Sequence, residues 1–266
     1  MHASFRSVSG PFPAVSVNTL TVIVIIRSIY AIFITWIVLT ATGGHWHKVG
    51  YSTRRLLSHY LNGLLTGFAA ISAVMAFMWF SHALIYDGVR LHRWVAIGYG
   101  VRWLVGLLLV GVAEECIDRG YALCTLAQIV GLWPAVVLTS LIFSAGHAGN
   151  PGETFTGLLQ VFLFGMVCAL SVFRTGSIWW AVAFHGMWDW AQEFFYGTLG
   201  SGYWYDGHFL QFRPQGRVIL SGGTVGPEGS IYIFVVLSVL LLYEVRALRS
   251  KSNPVEWTHQ ARHPRA

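Results

Sequence analysis

Two acidic residues open the chemistry of this chain. Glu114 and Glu115 stand side by side in the run Gly-Val-Ala-Glu-Glu-Cys-Ile-Asp-Arg, with Asp118 and Arg119 just beyond. The run closes a long apolar stretch that begins near Trp94. A charge placed inside a bilayer costs about 2.5–3.5 kcal/mol on insertion scales, so acids there need partners or a task. On a helix Glu115 and Arg119 are four apart and share a face, which fits an ion pair. Glu114 points about 100° around the helix axis and has no local partner. A carboxylate in low-dielectric surroundings is a stronger base than in water, which suits proton abstraction from a water near neutral pH. Asp118 is four residues from Glu114 and has no evident task.

Two histidines stand later in the chain. His147 ends Phe143-Ser-Ala-Gly-His147, just before the breaker Gly149-Asn150-Pro151-Gly152. It could cap a helix C-terminus or face Glu114. Glu114 lies 17 residues before Gly131 and His147 lies 16 after it. If both arms are helical, each sits about 24–26 Å from that turn, so a hairpin brings them to one depth. His185 and Asp189 are four apart and stack on one helix face, with Glu193 continuing the stripe. Asp189 can then accept from the His185 ring and set its tautomer. The straight-helix count leaves His185 about 10 Å out of register with Glu114, because it lies only nine residues past Gly176. Glu193 reads as a solvated end of the stripe.

The elements that must hold these residues are membrane helices. The chain has 266 residues, 55% of them hydrophobic and only 11% charged. Soluble domains carry about 25% charged residues, and several apolar runs here approach the roughly 20 residues that span a bilayer. The runs are continuous and lack the alternation of a β-barrel strand. The expected fold is all-α, a polytopic bundle of about seven to eight transmembrane helices. The net charge of +6 follows the loops and the tail, as the positive-inside rule predicts, and does not indicate nucleic-acid binding. Cys116, Cys124 and Cys168 lie in apolar stretches with no disulfide or CxxC spacing.

In order, residues 1–16 form a polar lead. Residues 17–93 hold two helices and their loops, with spans at 17–42 and 61–86. The first run is too long for a cleaved signal segment. It contains Arg27, which snorkels if near an end and needs a partner if deeper. Residues 94–199 form the core that carries the motifs, residues 200–229 an extracytoplasmic loop, residues 230–249 the last span, and residues 250–266 a cytoplasmic tail. The run 94–128 exceeds one span, so it is either one tilted helix or a helix that breaks near Gly120. Ser177 and Ser230 read as helix N-caps.

The three motifs in this order resemble the CPBP family of CAAX proteases and bacteriocin-processing enzymes, also called Abi. Its EExxxR, FxxxH and HxxxN/D patterns match Glu114–Arg119, Phe143–His147 and His185–Asp189, and the likeness covers about residues 100–195. The resemblance implies an intramembrane endopeptidase of the glutamate type. In that reading Glu114 is the base on a water that His147 helps hold, and His185 with Asp189 stabilises the oxyanion. Glu115, Arg119 and Phe143 support the site. Members with Asn at the last position offer a donor that ionised Asp189 cannot.

The implied partners are the membrane and a peptide or protein substrate, lipidated or membrane-anchored. The implied location is a cell membrane, in a bacterium the cytoplasmic one, with no cofactor. Three alternatives stay open at this point. One is a zinc metalloprotease built on two His and a Glu, although no HExxH occurs. Another is a non-catalytic immunity or adaptor protein on the same scaffold. The third is a proton-coupled transporter, for which internal repeats would be expected and none is seen.

Overall fold

The computed structural model describes residues 14–250; the rest of the polar lead and the basic tail lie outside the described residues. The architecture is an all-α bundle of a polytopic membrane protein. Its helices are α1 (Val17–Thr42), α2 (Leu56–Phe80), α3 (Arg93–Asp118), α4 (Tyr121–Val130), α5 (Leu132–Gly146), α6 (Phe155–Thr175), α7 (Trp179–Asp189) and α8 (Ile231–Arg249). Among the described residues, five helical stretches are long and apolar enough to cross a membrane, those of α1, α2, α3 with α4, α6 and α8. Helix α5 is a shorter apolar helix, and α7 runs on into a wider π-helical turn, Trp190–Phe195.

Local chemistry sets the ends of these helices. Thr154 caps α6 by accepting from the Gly157 amide at 3.1 Å, and Gly176 closes it in the left-handed region, φ 72°. Ser230 caps α8 through the Tyr232 amide at 3.3 Å. The Ser177 hydroxyl accepts from the Trp179 amide at 3.4 Å, where α7 begins. Pro134 lies in the first turn of α5, where its missing N–H has no partner to lose.

The long run 94–128 is broken. Helix α3 stops at Asp118, and Gly120 leaves helical geometry at φ −76°, ψ −121°. Tyr51 packs into the break, donating to the Cys116 carbonyl at 3.4 Å. A side chain at Gly120 would bring its Cβ within 2.7 Å of the Tyr51 hydroxyl.

The second span differs from its sequence limits, which were 61–86. The helix covers Leu56–Phe80, and residues Leu84–Val89 form a strand, β2. Leu84, Ile85 and Tyr86 continue the apolar run without a break in composition, which hid the strand. Strand β2 pairs antiparallel with β4 (Leu210–Pro214), from Leu84 opposite Pro214 to Val89 opposite Leu210. A second small ribbon pairs β1 (Ala14–Val15) in parallel with β3 (Trp204–Tyr205). The 200–229 segment is therefore structured, and it closes one end of the bundle.

Helix α7 is the hub. It packs against α2, α3 and α6, and residues Trp180–Gly186 are all buried. Helices α1 and α3 pair, as do α5 with α6 and α6 with α8.

Candidate active site

The register between α3 and α7 is set by two glycines. A Cβ at Gly111 would lie 2.5 Å from the Val182 carbonyl, and one at Gly186 would lie 2.7 Å from the Leu107 carbonyl. Only bare backbone allows the helices to approach this closely. The two helices run antiparallel, with Gly111 facing Val182 and Gly186 facing Leu107. Glu114 and His185 therefore lie on opposite sides of the Gly111–Val182 contact and meet through their side chains, Glu114 Oε2 lying 3.8 Å from His185 Nε2. The expected axial offset of about 10 Å is spanned by the two side chains, each of which leans toward the N-terminus of its own helix and so toward the other.

Glu115 and Arg119 are both fully buried. Arg119 Nε lies 3.4 Å from Glu115 Oε2, and Nη1 lies 3.7 Å from Asp118 Oδ2. The guanidinium rests on the Phe143 ring, 4.1 Å from its centroid, a cation–π contact that gains from the absence of water. Gly165 makes the space, since a Cβ there would lie 2.7 Å from Arg119 Nη2. Phe143 thus links the first motif to the second.

Glu115 has a further partner. Its Oε1 accepts from His185 Nδ1 at 2.8 Å. The expectation that Asp189 would set the His185 tautomer is corrected by this contact. Asp189 Oδ2 faces the other nitrogen, Nε2, at 3.6 Å, beyond hydrogen-bond reach. Glu114 Oε2 also faces Nε2, at 3.8 Å. His185 is thus held at Nδ1 and turns Nε2 toward two carboxylates.

Glu114 does have a partner, and it is remote in sequence. Its Oε1 lies 3.3 Å from Arg27 Nη1 on α1. Arg27 was legible only as a cation in an apolar run that needed a partner; which residue would meet it had no local signal.

His147 caps α5, and its Nδ1 bonds the Phe143 carbonyl at 2.9 Å. A carbonyl only accepts, so Nδ1 carries the proton and the neutral ring has a bare Nε2. The capping and site readings of His147 are therefore compatible.

A cavity of about 750 Å³ brings the parts together. Glu114, Phe143, His147, His185 and Asp189 line it, along with Arg27 and Asp118. Glu115 and Arg119 lie behind its wall. Ser201, Tyr203, Tyr205 and Asp206 close it from the 200–229 segment, and nothing in their local sequence marks them for that place. Trp103 Nε1 holds this closure by donating to the Asp206 carbonyl at 2.9 Å. Glu193 also lines the cavity and is buried, 5% exposed, which corrects its reading as a solvated residue. The wider π-helical turn keeps it inward. Cys116, Cys124 and Cys168 are free and buried. Among the described residues, no three His, Cys, Asp or Glu side chains are grouped to hold a metal ion.

Residues 96–191 match the family model described as type II CAAX prenyl endopeptidase, Rce1-like. Comparison with curated proteins and with solved structures found no significant match. The matched segment, from α3 to just past the end of α7, carries all three motifs.

Proposed function

We propose that this chain is an intramembrane endopeptidase that hydrolyses a membrane-associated peptide with a water activated by Glu114 and His147. The observation that carries the reading is that Glu114, His147, His185 and Asp189 line one cavity inside the bundle, all within the matched segment. The bare Nε2 of His147 accepts a hydrogen bond from the water and orients it. Glu114 takes the water proton as the oxygen adds to the scissile carbonyl. In its doubly protonated form His185 presents Nε2–H to the oxyanion, while Glu115 fixes the ring from Nδ1. Asp189 acts through His185, whose Nε2 it faces at 3.6 Å. Collapse of the tetrahedral intermediate breaks the C–N bond, and Glu114 returns its proton to the leaving amine.

The proposed substrate is a lipidated or membrane-anchored peptide or protein, and the proposed location is a bacterial cytoplasmic membrane. No cofactor is required in this reading. A zinc route would recruit His147, His185 and Glu114 as ligands, and chelation separates the two.

The test compares protein N-termini in membranes carrying the wild type and Glu114→Ala, at equal amounts of folded protein. New N-termini should appear with the wild type and vanish with the variant. Identical N-termini in both would end the peptidase reading and favour a non-catalytic role. Activity that disappears with a chelator and returns with zinc would replace the metal-free route.

A further inference from the structure

Glu193 is the buried acid that the proposed chemistry leaves unused. It is 5% exposed and lines the cavity from the π-helical turn. The Tyr205 hydroxyl lies beside its carboxyl, and Oε2 has no hydrogen-bond partner among the described residues. Glu114, Glu115, Asp118 and Asp189 each face an Arg or His nitrogen; among the described residues Glu193 faces none. A carboxylate buried without a counter-charge is costly. Its acidic neighbours, Asp189 and Glu228, add to that cost. Glu228 already has a donor of its own, the Ser201 amide at 2.7 Å. The Glu193 carboxyl sits against bare backbone, since a Cβ at Gly200 would lie 2.4 Å from its Oε1.

The surroundings narrow the ligand to a cation on an apolar stem. Glu114, Asp118, Asp189, Glu193 and Asp206 line the cavity, and among the described lining residues Arg27 is the only Arg or Lys. Such a field draws cations in and turns anions away. The described residues group no three side chains for a metal ion, which leaves an organic cation. Tyr203 and Tyr205 line the cavity, and aromatic faces attract ammonium and guanidinium groups. Val15, Leu20 and Leu107 supply aliphatic wall, along which the methylenes of a Lys or Arg side chain pack. Glu193 is eight residues past His185, about 10–12 Å along the element. An extended peptide covers that distance in about three residues.

We propose that Glu193 is a specificity site that receives a basic side chain, the Lys or Arg of a substrate peptide, about three residues from the bond that is cut. The cation pairs with Oε2 and lays the extended chain along the file His185, Asp189 and Glu193. The inference deepens the peptidase reading and rests on it for the ligand being a peptide and for the place of the cut.

The test uses the full-length protein in neutral detergent micelles. Three probes differ only in side chain: the C-terminal amides of dodecanoyl-lysine, dodecanoyl-norleucine and dodecanoyl-glutamate. Binding is followed by intrinsic tryptophan fluorescence, since Trp103 stands against the Tyr205 ring with centroids 5.3 Å apart. The lysine probe should bind about tenfold more tightly than the norleucine probe, as one charge-assisted contact predicts. Glu193→Gln should bring the lysine probe down to the norleucine probe. Glu193→Asp draws the carboxylate back by one methylene and should keep only part of the preference; it serves if Glu193→Gln does not fold. Equal binding of the lysine and norleucine probes to the wild type would overturn the proposal. So would a lysine preference that survives Glu193→Gln, which would move the cation to another acid, or preferential binding of the glutamate probe. The place of the cut is read from the N-termini that vanish with Glu114→Ala. Lys or Arg should be enriched about three residues from those cuts and lose that enrichment with Glu193→Gln; a flat distribution would overturn the placement. The probes do not depend on cleavage, so a failed peptidase assay and a failed cation site give different results.

Discussion

The two sides of the cavity are built by opposite means. On one side α3 meets α7 backbone to backbone across Gly111 and Gly186, and the charges behind that contact, Glu115 and Arg119, are fully buried. On the other side α1 covers the cavity with side chains while much of its surface is exposed. Val22, Ile26, Ile29 and Tyr30 are each more than half exposed, as befits a face turned to lipid. The α1 contact with α3 includes one hydrogen bond at 3.3 Å, from Ser28 to the Leu109 carbonyl, and the Arg27–Glu114 pair. The contrast separates two tasks. The α3–α7 side fixes positions through direct backbone contact at Gly111 and Gly186. The α1 side supplies a charge from an element held to α3 through side chains, with Val24, Ser28, Ala31, Thr35 and Leu39 buried along one stripe.

Substitutions can break or sharpen this contrast. The largest effect is expected from Glu115→Ala, which leaves Arg119 buried without its closest carboxylate and frees His185 Nδ1. Removing one partner of a buried pair costs about 3–5 kcal/mol, so thermal unfolding in micelles should show a severe loss. A change below about 1 kcal/mol would refute the claim that this side depends on its charges. Gly186→Val comes next. It forces α3 from α7 and should cost about 1–3 kcal/mol, the usual range for overpacking. Cleavage should fall further than stability, because Glu114 and His185 lose their 3.8 Å approach; an unaltered cleavage rate would show that the glycine contact does not set the register. Ile29→Ala, on the lipid face of α1, should change stability by no more than about 0.5 kcal/mol. A loss of several times that value would mean that α1 is confined as firmly as α7.

The helical spans were legible because an apolar run of that length admits few other fates, and the pairs four residues apart were legible because a helix dictates them. Glu115 and Arg119 meet as their spacing requires. What composition conceals is where a run changes conformation. The break at Gly120 depends on Tyr51, 69 positions earlier in the chain. The strand at Leu84–Val89 was concealed in the same way, since its partner lies more than 120 residues on. Within the site, the Arg27–Glu114 and His185–Glu115 contacts join different helices, so no spacing in the chain announces them. The closure by Ser201, Tyr203 and Tyr205 depends on strand pairing that residues 200–205 do not disclose.

The π-helical turn after Asp189 decides how far the polar stripe can run. In an α-helix each step of four residues precesses about 40° around the axis. His185, Asp189 and Glu193 would therefore spiral by about 80° and carry the last carboxyl off the cavity. A wider turn needs more residues to complete a circle, so the same four-residue step no longer overshoots. The widened turn thus acts as a local unwinding that cancels the precession. It lets one helix present a straight file of three ionisable groups, reaching from the depth of Glu114 to the segment that closes the cavity.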